Sequence, residues 1–238
     1  MVLKSGEVAA MLDLSCVRTN SCEVDIKNLA YHAKKYQCGH VSVLQCFVPY
    51  MKELLLDSPQ VGIVGNVSFP SGSDSTSVKV FQTRELVKEG CNEIDMVINV
   101  GMLCSGKYRE VEADVRAVVE AAEGHPVKVI IEVPYLDRTA TVKACEICIN
   151  SKAHFVKTGT GWTTEGTKLD DVKLINATTG DAIKIKVSGG IRSLGALTDF
   201  YNAGARRFGV NMLTGIGILE ECIAGETGEC HEPKDIGV

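Results

Sequence analysis

No apolar run in this chain approaches the 18 residues needed to cross a bilayer, so no membrane span is expected. Residues 1–15 lack the long apolar core of a secretory signal, which leaves the cytoplasm as the expected location. Basic runs are also missing, and the net charge is −5, so an extended nucleic-acid surface is not expected; local positive charge can still hold a phosphate. No second CxxC accompanies Cys145-Glu146-Ile147-Cys148, so the spacing does not make a metal site, and no cofactor is expected. The ten cysteines are scattered. Cys16 and Cys46 lie in strand-like runs and Cys145 and Cys148 in a helix-like one, as reduced, small hydrophobes would. The dinucleotide fingerprint GxGxxG is absent after the first strand, which weakens a doubly wound sheet as the architecture.

What is present is alternation. Strand-like segments at 10–16, 40–47, 61–67, 92–99, 127–134, 153–158, 183–188 and 206–211 are separated by amphipathic segments at 24–38, 49–57, 75–89, 107–123, 138–151, 168–180, 193–203 and 214–224. In 107–123 the apolar residues Tyr108, Val111, Val115, Val118 and Ala122 recur at helical steps. Eight strand–helix pairs without a linker, in 238 residues, predict a single (β/α)₈ barrel domain over 1–238.

Barrel strands pack their outer residues on helices, so polar residues must face inward. Ile94, Met96 and Ile98 share one face of the fourth strand; Glu93, Asp95, Val97 and Asn99 share the other. Lys184, Lys186 and Ser188 oppose Ile183, Ile185 and Val187, Phe155 shares its parity with Lys157 and Gly159, and Asp13 pairs with Ser15. Burying unpaired charge is costly, so these groups must pair or shift their pKa values.

Lys157 precedes the turn Thr158-Gly159-Thr160-Gly161, near the strand end where barrel active sites are built. Desolvation and a nearby cation such as Lys186 would free its amine for attack on a carbonyl. The alternative is a lysine paired to Glu93, Asp95 or Glu132 for packing alone. Lys184, two residues deeper than Lys186, is expected to be a structural partner of Glu93 or another inward acid. Asp95 can move protons, orient a hydroxyl or form a salt bridge. Ser188-Gly189-Gly190 and Gly209-Val210-Asn211 end the last two strands, where barrels often bind phosphate.

Leu12-Asp13-Leu14-Ser15, Phe69-Pro70-Ser71-Gly72 with Lys79, Glu93-Ile94-Asp95-Met96-Val97-Ile98-Asn99, Val129-Ile130-Ile131-Glu132, Phe155-Val156-Lys157-Thr158-Gly159-Thr160-Gly161 and Lys186-Val187-Ser188-Gly189-Gly190-Ile191-Arg192 run in order along nearly the whole chain. Together they resemble the deoxyribose-phosphate aldolase family. The resemblance implies metal-free, cofactor-free retro-aldol cleavage of 2-deoxy-D-ribose 5-phosphate, with Lys157 forming the imine and Lys186 and Asp95 tuning it and shuttling protons. It places Asp13, Thr158, Thr160, Gly189, Gly190, Gly209 and Asn211 around the sugar phosphate, and it implies a homodimer. Three departures stand out: Asn211-Met212 where the family carries Ser-Ser, Gly159 and Trp162 around the turn after Lys157, and an end at Asp235-Ile236-Gly237-Val238 in place of a terminal tyrosine. The first opens a second reading, a Schiff-base lyase on another aldehyde or an unphosphorylated sugar. A non-catalytic sugar-phosphate binder is the third, and the Asp95, Lys157 and Lys186 set argues against it.

Overall fold

The computed structural model describes residues 3–227; Met1, Val2 and the chain end with its last four residues lie outside them. Eight parallel strands close into a barrel in chain order: β1 (Leu12–Cys16), β2 (His40–Val43), β3 (Gly62–Val67), β4 (Glu93–Val97), β5 (Val127–Ile130), β6 (Phe155–Lys157), β7 (Lys184–Ser188) and β8 (Ala205–Asn211). The helices are α1 (Ser5–Met11), α2 (Glu23–Tyr36), α3 (Val48–Leu54), α4 (Thr76–Glu89), α5 (Val100–Cys104), α6 (Tyr108–Ala121), α7 (Arg138–Asn150), α8 (Leu169–Thr179), α9 (Leu194–Asn202) and α10 (Met212–Thr227). The (β/α)₈ expectation therefore holds.

The apolar core lies between the strands and the helix ring. Leu12, Leu14, Ile94, Met96, Val129, Val156, Val187 and Phe208 are buried there, as are Val111, Val115, Val118 and Ala122 from α6 and its end. Side-chain caps start α5, α7 and α9: Asn99 Oδ1 accepts from Met102 N (3.0 Å), Asp137 Oδ1 from Ala140 N (2.7 Å) and Ser193 Oγ from Ala196 N (3.2 Å). Lys79 of α4 is fully buried. It pairs with Asp114 of α6 (2.6 Å) and donates to Val97 O (3.1 Å), tying both helices to the end of β4.

Several boundaries differ from expectation. Ala10 and Met11 finish α1, a helix the alternation did not reveal, rather than starting β1. The second strand stops at Val43, and Gln45–Phe47 form a 3-10 turn that leaves Cys46 exposed, so Cys46 is not a strand residue. The fifth stops at Ile130: Glu132 is left-handed (φ 55°) and Val133–Tyr135 form a 3-10 turn containing Pro134, which has no N–H for a ladder. Among the described residues no disulfide forms, and Cys38, Cys91, Cys145, Cys148 and Cys222 are buried. Burial holds the Cys145 thiol up at about 12, so it stays a neutral, inert hydrophobe.

Candidate active site

The inside of the barrel is ionic where its outside is apolar. Register places Asn66 beside Asp95, Asp95 beside Lys128, Ile130 beside Lys157, and Lys157 beside Lys186. Asp95 is completely buried at the centre of this network. Its Oδ1 accepts from Lys128 Nζ (2.8 Å), and its Oδ2 accepts from both Lys157 Nζ (2.8 Å) and Lys186 Nζ (2.8 Å). Lys186 also donates to Asp13 Oδ2 (2.5 Å), and Arg207 donates to Asp13 Oδ1 (2.9 Å). Lys128 pairs with Glu93 Oε2 (2.6 Å). Arg207 also donates to His40 Nδ1, which leaves the His40 proton on Nε2, 3.4 Å from Glu93 Oε1.

Charge in this cluster does not balance. Asp13, Glu93 and Asp95 face Lys128, Lys157, Lys186 and Arg207, one cation in excess. Burial depresses the pKa of His40, so it adds no further positive charge at neutral pH. Burial would push Asp95 and Asp13 up, but the surrounding cations outweigh it and hold both carboxyls far below their usual range. Burial would pull Lys128 down, yet Asp95, Asp13 and Glu93 raise it. The surplus falls on Lys157. Burial, opposed by Asp95 and reinforced by Lys186, brings its pKa down to about 8. Burial contributes more than the neighbouring cation. The result is a lysine that is partly a free amine near neutral pH, at the C-terminal end of a barrel strand.

Lys186 nevertheless matters for that pKa. In Lys186→Leu a repelling cation disappears and Asp95 Oδ2 turns wholly to Lys157, so both changes favour the ammonium. The rising limb of a pH–rate profile should move upward by about one unit, roughly 1.4 kcal/mol, with lower activity at neutral pH. A profile that stays in place with full activity would assign Lys186 to structure.

Above the cluster lies a mouth lined by Asp13, Ser15, Ser42, Asn66, Phe69, Lys157, Thr160, Lys186, Ser188 and Gly209, among others. Gly209 sits against the lysine itself: a Cβ there would lie 3.3 Å from Lys186 Cε and 2.8 Å from Ser188 Oγ. Thr160 N donates to Glu132 Oε1 (2.9 Å), which fixes the turn after Lys157. Thr158 faces elsewhere. It is fully buried, its Oγ1 accepts from Ser188 N (3.0 Å) and lies 2.7 Å from Thr167 Oγ1, so it joins the ends of β6 and β7. Gly189 and Gly190 have φ of 81° and 91°, a region closed to most side chains, and Gly161 (φ 76°) packs its backbone against Gly189. Without a Cβ at either position, the backbone at the end of β7 can be approached closely by a ligand. Asn211 Oδ1 accepts from Thr214 N (2.9 Å), which caps α10 and leaves its amide N–H₂ for a ligand. Met212 is half-buried and packs on the core. Arg18 lies over the Trp162 ring (5.4 Å) and donates to Gly161 O (3.0 Å), while Trp162 meets Phe69 edge-on.

Lys184 is not a partner of Glu93. It is the first residue of β7, at the solvent-facing bottom rim, where it is exposed and lies 5.8 Å from the Phe155 ring. Glu93 takes Lys128 and Arg207 instead. Lys128 was readable but missed: a single lysine between Val127 and Val129 in a buried strand has nowhere to point except inward. Arg207 and His40 gave no such signal, because each sits near the start of its strand. Among the described residues no group of three or more His, Cys, Asp or Glu is placed to hold a metal ion.

A family model described as DeoC/LacD family aldolase matches residues 8–214. The chain is 38% identical over 229 residues to a deoxyribose-phosphate aldolase of Carboxydothermus hydrogenoformans, covering 94% of this chain and 99% of that one. It is 41% identical over 215 residues to the Dictyoglomus turgidum deoxyribose-phosphate aldolase, covering 89% and 98%. Among solved structures, one described as QR15, an aldolase, superposes with a TM-score of 0.87 at 32% identity, covering 92% and 97%.

Proposed function

The chain belongs to the DeoC/LacD family of aldolases, and from that premise we propose that Lys157 carries its chemistry, as the imine-forming lysine in cleavage of 2-deoxy-D-ribose 5-phosphate to acetaldehyde and D-glyceraldehyde 3-phosphate. The observation that carries the assignment is the buried amine of Lys157, lowered to about 8 and sharing one Asp95 oxygen with Lys186.

The residues suggest a proton sequence. The neutral Lys157 amine attacks C1 of the open-chain sugar, and the Lys186 ammonium gives a proton to the departing water. The iminium that results draws electrons from the C2–C3 bond as the now neutral Lys186 takes the C3 hydroxyl proton. Glyceraldehyde 3-phosphate leaves, and Lys186 returns the proton to C2 of the enamine. Hydrolysis then releases acetaldehyde and regenerates Lys157. Asp95 is too weak a base to hold that proton at rest; it fixes both amines in place. The backbone of Gly189 and Gly190, with the start of α10, is suited to the phosphate. An assay of the parent enzyme on deoxyribose 5-phosphate and on deoxyribose tests this reading. No cleavage of either would overturn it.

The run Asn211-Met212 favours one refinement: phosphate binding with fewer donors than a pair of serines offers. Met212→Ser should lower the Michaelis constant for the phosphorylated sugar by about ten-fold or more, the worth of one hydrogen bond to a charged group, and leave deoxyribose unchanged. It should also cost some stability, because Met212 packs on the core. An equal effect on both sugars would place the anion elsewhere. No described helix is long and apolar enough to cross a membrane. The family resemblance further supports a homodimer, which sedimentation velocity would test, and a cytoplasmic location, which cell fractionation would test.

A further inference from the structure

One group at the mouth has no task in the sequence above. Asn66 of β3 lines the same cavity as Lys157 and Lys186 and is 5% exposed. Its Nδ2 donates to Val43 O (2.8 Å) and to Ser42 Oγ (3.0 Å). A backbone carbonyl can only accept, so the nitrogen must face Val43 and the amide cannot be reversed. Oδ1 is thereby fixed on the other side, and it is buried without a donor. Leaving a buried acceptor unsatisfied is costly, so its partner is expected to arrive from outside the protein.

We propose that Asn66 is a specificity residue whose Oδ1 accepts a hydrogen bond from a substrate hydroxyl, and that this is the hydroxyl next to the aldehyde carbon of the glyceraldehyde half. The choice follows from the chemistry of the group. A carboxamide oxygen accepts a hydrogen bond but cannot hold a proton. The C3 hydroxyl must surrender its proton during cleavage, which suits the amines. The C4 hydroxyl keeps its proton throughout, which suits an amide fixed by Ser42 and Val43. Sites built to bond a hydroxyl reject analogues that lack it far more strongly than apolar pockets reject additions. The proposal rests on the aldolase reading, but it concerns which aldehydes the site accepts.

The test runs the reaction toward synthesis, with acetaldehyde as donor and either D-lactaldehyde or propionaldehyde as acceptor; only the first has a 2-hydroxyl. The parent should prefer D-lactaldehyde by about ten-fold or more in kcat/KM. In Asn66→Val the preference should fall to near unity. Because the readout is a ratio within one enzyme, loss of active material does not move it. Should Asn66→Val fail to fold, the smaller Asn66→Ala also removes the amide acceptor, with the same expected loss. A variant that retains the parental ratio, or a parent without any preference, overturns the proposal. Failure to cleave deoxyribose 5-phosphate, with acceptor discrimination still dependent on Asn66, overturns only the substrate reading. Absence of all aldol chemistry overturns both.

Discussion

Lys157→Met is expected to abolish borohydride-dependent capture of acetaldehyde and, at the same time, to stabilise the folded protein at neutral pH. Loss of capture follows if Lys157 is the amine that forms the imine; covalent labelling that persists at another lysine would refute the assignment. The gain in stability follows from linkage. The Lys157 pKa falls from 10.5, the ordinary lysine value, to about 8 in the folded protein. Between those values the unfolded chain holds a proton that the folded one has released, so stability rises with pH across that window. Below about 8 the penalty is complete and amounts to about 3 kcal/mol. Methionine fills a similar volume without charge, and it leaves Asp13, Glu93 and Asp95 facing three cations instead of four. The urea midpoint of the variant should therefore exceed the parent's at pH 7, and the difference should shrink as pH approaches 10.5. A variant less stable than its parent at pH 7 would mean that the Lys157–Asp95 pair outweighs burial. On that outcome the amine would not be primed.

The sequence made the architecture and the three central residues legible for one reason. In a barrel with apolar outer walls, a charged residue at alternating positions in a strand can face only inward. Asp95, Lys157 and Lys186 sit in mid-strand or at its upper end, where that rule is strict. Lys184 obeys the same parity but begins its strand, and the open rim lets it reach water. Strand ends were misjudged for a related reason. Ile131, Glu132 and Val133 continue an apolar pattern, but a left-handed Glu132 and Pro134 stop the ladder. Asn66 was invisible because its importance is a missing partner, and no pattern of residues reveals an unmet hydrogen bond. Thr158 illustrates the converse: a polar residue beside the lysine whose hydroxyl is taken up by Ser188 and Thr167.

Asp95→Asn should reverse the charge argument and so test it from the other side. The variant keeps the shape of the side chain but leaves Lys128, Lys157, Lys186 and Arg207 with only Asp13 and Glu93. Its amide also brings an N–H₂ into a space filled by ammonium groups, where it can accept from fewer of them. Removing one partner from a buried ionic network costs about 3–5 kcal/mol, so a large fall in the urea midpoint is expected at neutral pH. The Asp95 carboxyl is held well below its usual range, so the stability it contributes is present above the ordinary aspartate value of 3.8 and is lost as pH falls further. The deficit of the variant should accordingly narrow under acid conditions. It should narrow again in alkali, as the lysines lose their protons in both proteins. Catalysis should fall steeply because both amines lose their shared anchor. Yet the rising limb of the pH profile should move down, since Asp95 raises the Lys157 pKa. That direction is opposite to the one expected for Lys186→Leu, and a merely loosened fold would produce neither. Adding Lys186→Met to Asp95→Asn removes one surplus cation and should recover part of the lost stability. Additive losses in the double variant would show that charge balance does not govern the cluster.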